Sequence, residues 1–128
     1  MMVLDTHSFL WYCLDDPALP PATKLHLSQN TEAVFVPSIV IWEIVMLAQK
    51  GRLNIGSTSP DQFARGLLSR SRFKEVPLNS EIAILSRILP FHHEDPADRF
   101  IAATAHFLRM PLVTEDKSLT GLSWLNTI

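Results

Sequence analysis

The sequence predicts an α/β fold built on one mostly parallel sheet, and three observations support this. Short apolar runs at residues 2–4, 33–36 and 111–114, with another short strand candidate at 73–77, alternate with segments whose apolar residues recur at helical spacing. The connections between these elements are short, which implies parallel strands with helices on both faces of the sheet. Acids stand directly after the first strand, at Asp5, and after a late one, at Asp116. In open parallel sheets the ligand site lies beyond the carboxyl ends of the strands, where both acids fall. If their strands are neighbours, the two carboxylates lie within several ångströms of each other.

Each element has its own signal. Residues 2–4 end on Asp5-Thr6, and Phe9, Leu10, Trp11 and Leu14 then recur at helical spacing until Asp15-Asp16-Pro17 breaks the run. Pro20-Pro21 opens a second helix, and the buried strand at 33–36 is stopped by Pro37. Ser38 is expected to cap a helix that runs to Lys50, with Gly51 just past its end. Ser59-Pro60-Asp61-Gln62 has capping-box spacing and opens a helix to about Ser71. After the strand at 73–77, Asn79 caps a helix to about Leu89. Proline is favoured at the first helical position, so Asp95-Pro96 reads as cap and first residue, placing Asp98 third. That helix continues to Leu108, and the strand at 111–114 ends on Glu115-Asp116. The tail, residues 122–128, is a candidate for one more edge strand. With no repeat or linker in the 128 residues, a single domain over 1–128 is expected, and 47% hydrophobic residues suffice for one core.

Composition excludes several classes of function. A net charge of −2 provides no global basic field for nucleic acid. The charges are uneven, however: Lys50, Arg52, Arg65, Arg70, Arg72 and Lys74 are opposed within their segment only by Asp61. This stretch suits a phosphate-bearing partner, and equally an ordinary solvated helix face. Cys13 is the single cysteine, so no intrachain disulfide or thiolate metal site forms, and it reads as a small buried hydrophobe. No apolar run approaches the length of a membrane span and no leader is recognisable, so a cytoplasmic location is expected. A G-x-S-x-G elbow, a P-loop and a dinucleotide glycine fingerprint are all missing. His7, His26 and His106 lack metal-ligand spacing, and Trp11, Trp42 and Trp124 read as core residues. His92-His93 lies beside the acid-rich helix start and reads as turn residues, with an acid or phosphate-contact role as the competing reading.

Four acids stand at awkward positions. From Ile39 to Ala48 every residue but Glu43 is apolar, so this helix is expected to be buried nearly all round with a carboxylate in its second turn. Carboxylates are almost never fully buried unless paired or coordinating, so Glu43 pairs with an arginine such as Arg99, lies exposed on a narrow polar stripe, or faces a site. Three, four and seven residues beyond Asp98 stand Ile101, Ala102 and Ala105, an inward face. Asp5, Glu43, Asp98 and Asp116 then form a cluster in which like charges repel and favour protonation or a divalent ion. Oxygen ligands without cysteine suit Mg²⁺ or Mn²⁺ better than Zn²⁺ or copper.

Taken together, Met2-Val3-Leu4-Asp5-Thr6-His7, Ser38-Ile39-Val40-Ile41-Trp42-Glu43-Ile44, His92-His93-Glu94-Asp95-Pro96-Ala97-Asp98-Arg99 and Leu112-Val113-Thr114-Glu115-Asp116 resemble the PIN-domain ribonucleases, and among them the VapC toxins of bacterial toxin-antitoxin pairs. The similarity runs in order along nearly the whole chain and is weakest between residues 53 and 73. It implies a PIN-like three-layer α/β/α sandwich around a mostly parallel sheet and metal-dependent endonucleolytic cleavage of RNA. It also implies an antitoxin partner and a homodimer. Asp5, Glu43, Asp98 and Asp116 match the family's four acids, serving as catalytic metal ligands for Mg²⁺ or Mn²⁺. Thr6 and Thr114 match polar neighbours that orient the acids or a water, and Asp95 matches an acid before the proline, read as the helix cap with a supporting role. Glu115 departs from the pattern and leaves open whether it or Asp116 faces the metal, with Asp116 favoured. Lys50, Arg52, Arg70 and Arg72 would steer the RNA backbone by charge. Two rival readings remain: an inactive PIN-like binding module with structural acids, and a Mg²⁺-dependent phosphohydrolase of a small phosphorylated substrate.

Overall fold

The structure, a computed structural model, describes residues 1–92 and 94–128. His93, one of the two histidines considered above, lies outside the described residues. The elements follow in the order β1 (Met2–Leu4), α1 (Thr6–Cys13), α2 (Pro21–Gln29), β2 (Val34–Pro37), α3 (Ser38–Gln49), α4 (Pro60–Ser71), β3 (Lys74–Val76), α5 (Ser80–Ile88), α6 (Pro96–Leu108), β4 (Leu112–Val113) and α7 (Lys117–Thr120). A 3-10 turn at Thr31–Ala33 leads into β2.

The strands form one sheet in the order β3-β2-β1-β4, with every pairing parallel. Met2, Val3 and Leu4 are all buried, and successive strand side chains point to opposite faces, so both faces of β1 are covered. This is the α/β sandwich that the alternation of elements implies. The tail joins as a single parallel bridge, Leu112 to Thr127, in place of a full edge strand. The Leu112 N–H donates to the Asn126 carbonyl at 2.8 Å, and the Ile128 N–H donates to the Leu112 carbonyl at 2.9 Å.

The helix starts show which local signals are decisive. Asn79 accepts from the Ile82 N–H at 2.8 Å, Ser59 from the Gln62 N–H at 3.4 Å and Asp95 from the Asp98 N–H at 3.3 Å, each as its capping pattern requires. Ser38 differs. It is the first residue of α3, with Pro37 at the cap position, and its hydroxyl donates to the Glu75 carboxylate at 2.6 Å. An acceptor on the adjacent strand β3 competes successfully with the helix's own amides. Two helix starts carry caps that the apolar pattern does not reveal, because in both the capping acid ends a strand. Asp5 caps α1, so that helix begins at Thr6, and Asp116 caps the short α7.

The expectation that α3 is buried nearly all round needs correction. Val40, Ile44 and Ala48 are buried along one stripe, while Trp42 is 56% exposed and Ile39, Ile41, Val45 and Leu47 are half-buried. A helix laid on a sheet needs only one stripe inward, so apolar residues on its other sides face outward. Asp98 behaves as its helix face predicts: Ile101, Ala102 and Ala105 are completely buried, and Asp98 sits half-buried at the start of that face.

Candidate active site

β1 and β4 are neighbours, in the register Val3 with Leu112 and Leu4 with Val113. The next residues along, Asp5 and Thr114, therefore meet just beyond the carboxyl ends of both strands. Asp5 is only 6% exposed, and each carboxylate oxygen has a donor. The Ser8 N–H donates to Oδ1 at 2.9 Å and the Thr114 hydroxyl to Oδ2 at 2.5 Å. The Thr114 oxygen in turn accepts from the Asp116 N–H at 3.0 Å, so one hydroxyl links two of the acids. Asp116 Oδ1 accepts from the Ser118 N–H at 2.9 Å and from the Ser118 hydroxyl at 2.7 Å, which caps α7 and orients the carboxylate. Ser8 anchors the arrangement from below by donating its hydroxyl to the Val113 carbonyl at 3.0 Å.

The other two acids come from helices. Glu43 projects from the second turn of α3 and accepts from the hydroxyl of Thr6, the first residue of α1. Arg99 does not neutralise it. That guanidinium is 7% exposed and turned toward the end of α5, donating to the Ser86 carbonyl at 2.8 Å and the Arg87 carbonyl at 3.3 Å. It also approaches Glu94 at 3.5 Å and lies 4.5 Å from the Phe91 ring centre. Asp98 enters from the first turn of α6. Burial, followed by the charges of Asp95, Asp116, Glu43 and Asp5, pushes its carboxyl up to about 7. Those four residues are the acids singled out in the sequence together with the α6 cap, so the fold brings them to bear on one carboxyl group.

Strand ends, the second turn of α3 and the start of α6 thus contribute to one carboxylate cluster. Among the described residues no three acid, imidazole or thiol side chains are placed to hold an ion as they stand. The donor chemistry nevertheless fits a hard divalent cation. All candidate ligands are carboxylate oxygens, and the upward shift of Asp98 marks a site where added positive charge is favourable. Glu115 is exposed while Asp116 is half-buried and among the charges acting on Asp98, which favours Asp116 as the inward acid of the pair.

The basic residues gather elsewhere. Arg70 lines a cleft of about 210 Å³ with Tyr12, Cys13 and Lys24, at the far end of α1, roughly 12 Å along its axis from Asp5. Arg72 is the left-handed C-cap of α4, next to the entry into β3. Lys50 caps the end of α3, about 10 Å beyond Glu43, and Arg52 follows it. Among the described residues, none of these four side chains hydrogen-bonds or pairs with the acids. Cys13 lies in the same distant cleft, and burial pushes its thiol up to about 12 against the opposing influence of Arg70, so it is no thiolate nucleophile. His92 is exposed, and His106 packs edge-on against Trp124 with centroids 5.4 Å apart.

Four residues of the site were not legible as such. Ser8 and Ser118 are ordinary helix-start residues until the acids they hold are located. His7 and Trp11 line a cleft of about 290 Å³ with Asp5, Glu115 and Asp116, although Trp11 reads from the sequence as core and His7 as a residue without metal-ligand spacing. Their spacing of four residues on the helix that starts at Thr6 was the available signal.

Comparison with known proteins bears on the fold. The PIN domain family model matches residues 2–125. Among solved structures, the chain resembles VapBC2 from Rickettsia felis bound to a DNA fragment from its promoter (TM-score 0.71, 16% identity, 99% of this chain and 96% of that one). It also resembles DNA-bound VapBC from Salmonella typhimurium (TM-score 0.72, 18% identity, 99% and 96%) and a toxin-antitoxin complex from Klebsiella pneumoniae (TM-score 0.66, 21% identity, 100% and 96%). At these identities the likeness is one of fold. No curated protein matches the chain significantly by sequence.

Proposed function

The chain belongs to the PIN-domain family, and on that premise we propose that it is a metal-dependent endoribonuclease of the VapC type, the toxin of a toxin-antitoxin pair. The observation that carries the reading is the burial of Asp98 beside Asp95, Asp116, Glu43 and Asp5 on strand and helix ends that converge at one edge of the sheet. A nuclease within this family needs such a cluster, and an RNA phosphate cannot approach it unless positive charge is added.

Asp5, Glu43, Asp98 and Asp116 would hold Mg²⁺ or Mn²⁺. The cation would supply Lewis acidity that activates water and offsets charge on the scissile phosphate. Thr114 and Ser8 hold Asp5, Ser118 holds Asp116 and Thr6 holds Glu43, so these three ligands are oriented before substrate arrives. In the reaction, the water oxygen would bond to phosphorus as the bond to the leaving sugar oxygen breaks, a carboxylate of the cluster would accept the water's proton, and the leaving oxygen would take a proton from solvent. No protein nucleophile is needed. Lys50, Arg52, Arg70 and Arg72 would contact flanking RNA backbone away from the scissile bond.

The solved relatives described as VapBC and as a toxin-antitoxin complex support a cognate antitoxin as partner. The outward apolar residues of α3 and α5, Trp42 at 56% and Ile88 at 70% exposure, suit burial in a homodimer or against that partner. No helix among the described residues is long and apolar enough to cross a membrane, and an RNA substrate is reached in the cytoplasm.

The deciding experiment is thermal melting against Mn²⁺ for the wild type and Asp98→Asn, followed by an RNA cleavage assay. Binding to the folded state should raise the wild-type melting temperature with the logarithm of Mn²⁺ concentration above the dissociation constant, and Asp98→Asn should lose that rise. No rise in either protein would leave the acids as structural groups, and cleavage of small phosphoesters but of no RNA would point to a phosphohydrolase.

A further inference from the structure

The cleft at the acid cluster has two kinds of wall. Asp5, Glu115 and Asp116 line one part, and the rings of His7 and Trp11 line another. His7 and Trp11 are four residues apart on α1 and therefore share one face, their ring centres 5.8 Å apart and their planes tilted by 44°. Trp11 is half-buried against the hydrophobic core, so its indole is held in place, while His7 is exposed beside it. The other two tryptophans are placed differently. Trp124 donates its indole N–H to the Pro90 carbonyl at 2.8 Å and packs on Phe91, and Trp42 projects outward from α3.

From this we propose that the His7–Trp11 pair is a nucleobase platform, on which a base next to the scissile phosphate stacks while the acids and their cation engage the phosphate. The inference rests on the nuclease reading of the acid cluster. The cleft's three carboxylates repel a bare phosphate, whereas a neutral planar ring meets no such penalty. At about 290 Å³ the cleft is near the lower end of the size of small-ligand sites, which matches one base. A fixed indole loses little freedom when a base lands on it, and stacking accepts any base because every base has a π-face. The platform therefore secures a single-stranded segment at the acids without dictating its sequence.

The test compares a single-stranded RNA octamer of random sequence with an abasic octamer of the same sugar-phosphate length. Binding is read by fluorescence anisotropy in Ca²⁺, a hard cation that takes oxygen ligands. Wild type should bind the base-bearing octamer about tenfold or more tightly than the abasic one. Trp11→Ala should bring that ratio close to one without changing abasic affinity, and Trp11→Phe should keep most of it. If Trp11→Ala does not fold, His7→Ala and Trp11→Leu give the same readout. An undiminished ratio in the folded variants overturns the platform while leaving the nuclease reading intact. Failure of the wild type to bind either octamer overturns both.

Discussion

Thr114 donates its hydroxyl hydrogen to Asp5 Oδ2 at 2.5 Å, joining residues 109 positions apart in the chain, and the same oxygen accepts the Asp116 N–H at 3.0 Å. This one side chain fixes the distance between the acids of two strands. Thr114→Val keeps the shape and removes the hydroxyl, leaving Asp5 without one buried donor and Asp116 without an acceptor. We expect a stability loss of about 1–3 kcal/mol and a clear fall in RNA cleavage, together with a weaker Mn²⁺-induced rise in melting temperature. Unchanged cleavage would remove Thr114 from the positioning of the acids.

Glu43→Gln retains volume and a carbonyl oxygen to accept from Thr6, yet removes the charge. Cleavage should be abolished with the melting temperature in EDTA within a few degrees of wild type. A variant that cuts RNA at the wild-type rate would show that Glu43 is not a ligand.

Asp98 dictates an unusual pH response in the metal-free protein. Its carboxyl rises to about 7 in the fold because burial and neighbouring acids disfavour its charge, while the unfolded chain titrates near 4. Between those values the folded protein binds the extra proton, so stability falls as pH rises through this window. In EDTA the melting temperature should therefore decline from pH 5 to pH 8, and Asp98→Asn should flatten the decline and melt higher than wild type at pH 8. Mn²⁺ should restore the wild type most at the alkaline end, where no proton competes. A melting temperature that rises steadily over this range would contradict the assignment of Asp98 as the strained acid.

The separation of the basic residues from the acids makes a kinetic prediction. Changing Lys50, Arg52, Arg70 and Arg72 together to Ser should weaken RNA binding and reduce its log–log salt slope by up to about 3, at roughly 0.7 per lost single-strand contact. Single-turnover cleavage of saturating RNA should be nearly unchanged, because among the described residues none of these four side chains bonds to the acids or to the hydroxyls that orient them. An unchanged salt slope would reduce the segment to a solvated surface.

What the sequence determined by itself is the local chemistry of element ends. Asp95-Pro96, Ser59-Pro60 and Asn79 start helices where their capping groups require, and the apolar runs become parallel strands. The four acids stood out because each occupies a position where an unpaired carboxylate is costly. The capping signals are short-range, and the amides they satisfy lie within three residues. Tertiary structure decided what depends on strand neighbours and on competition between distant partners. The pairing of β1 with β4 sets Asp5 beside Thr114 and Asp116, and the sheet order that produces it is not encoded in any single stretch. Ser38 turns to Glu75 instead of its own helix, Arg99 turns to α5 instead of Glu43, and Trp11 becomes a wall of the acid cleft instead of plain core. In each case a residue with two possible local roles takes the one that the surrounding packing makes available.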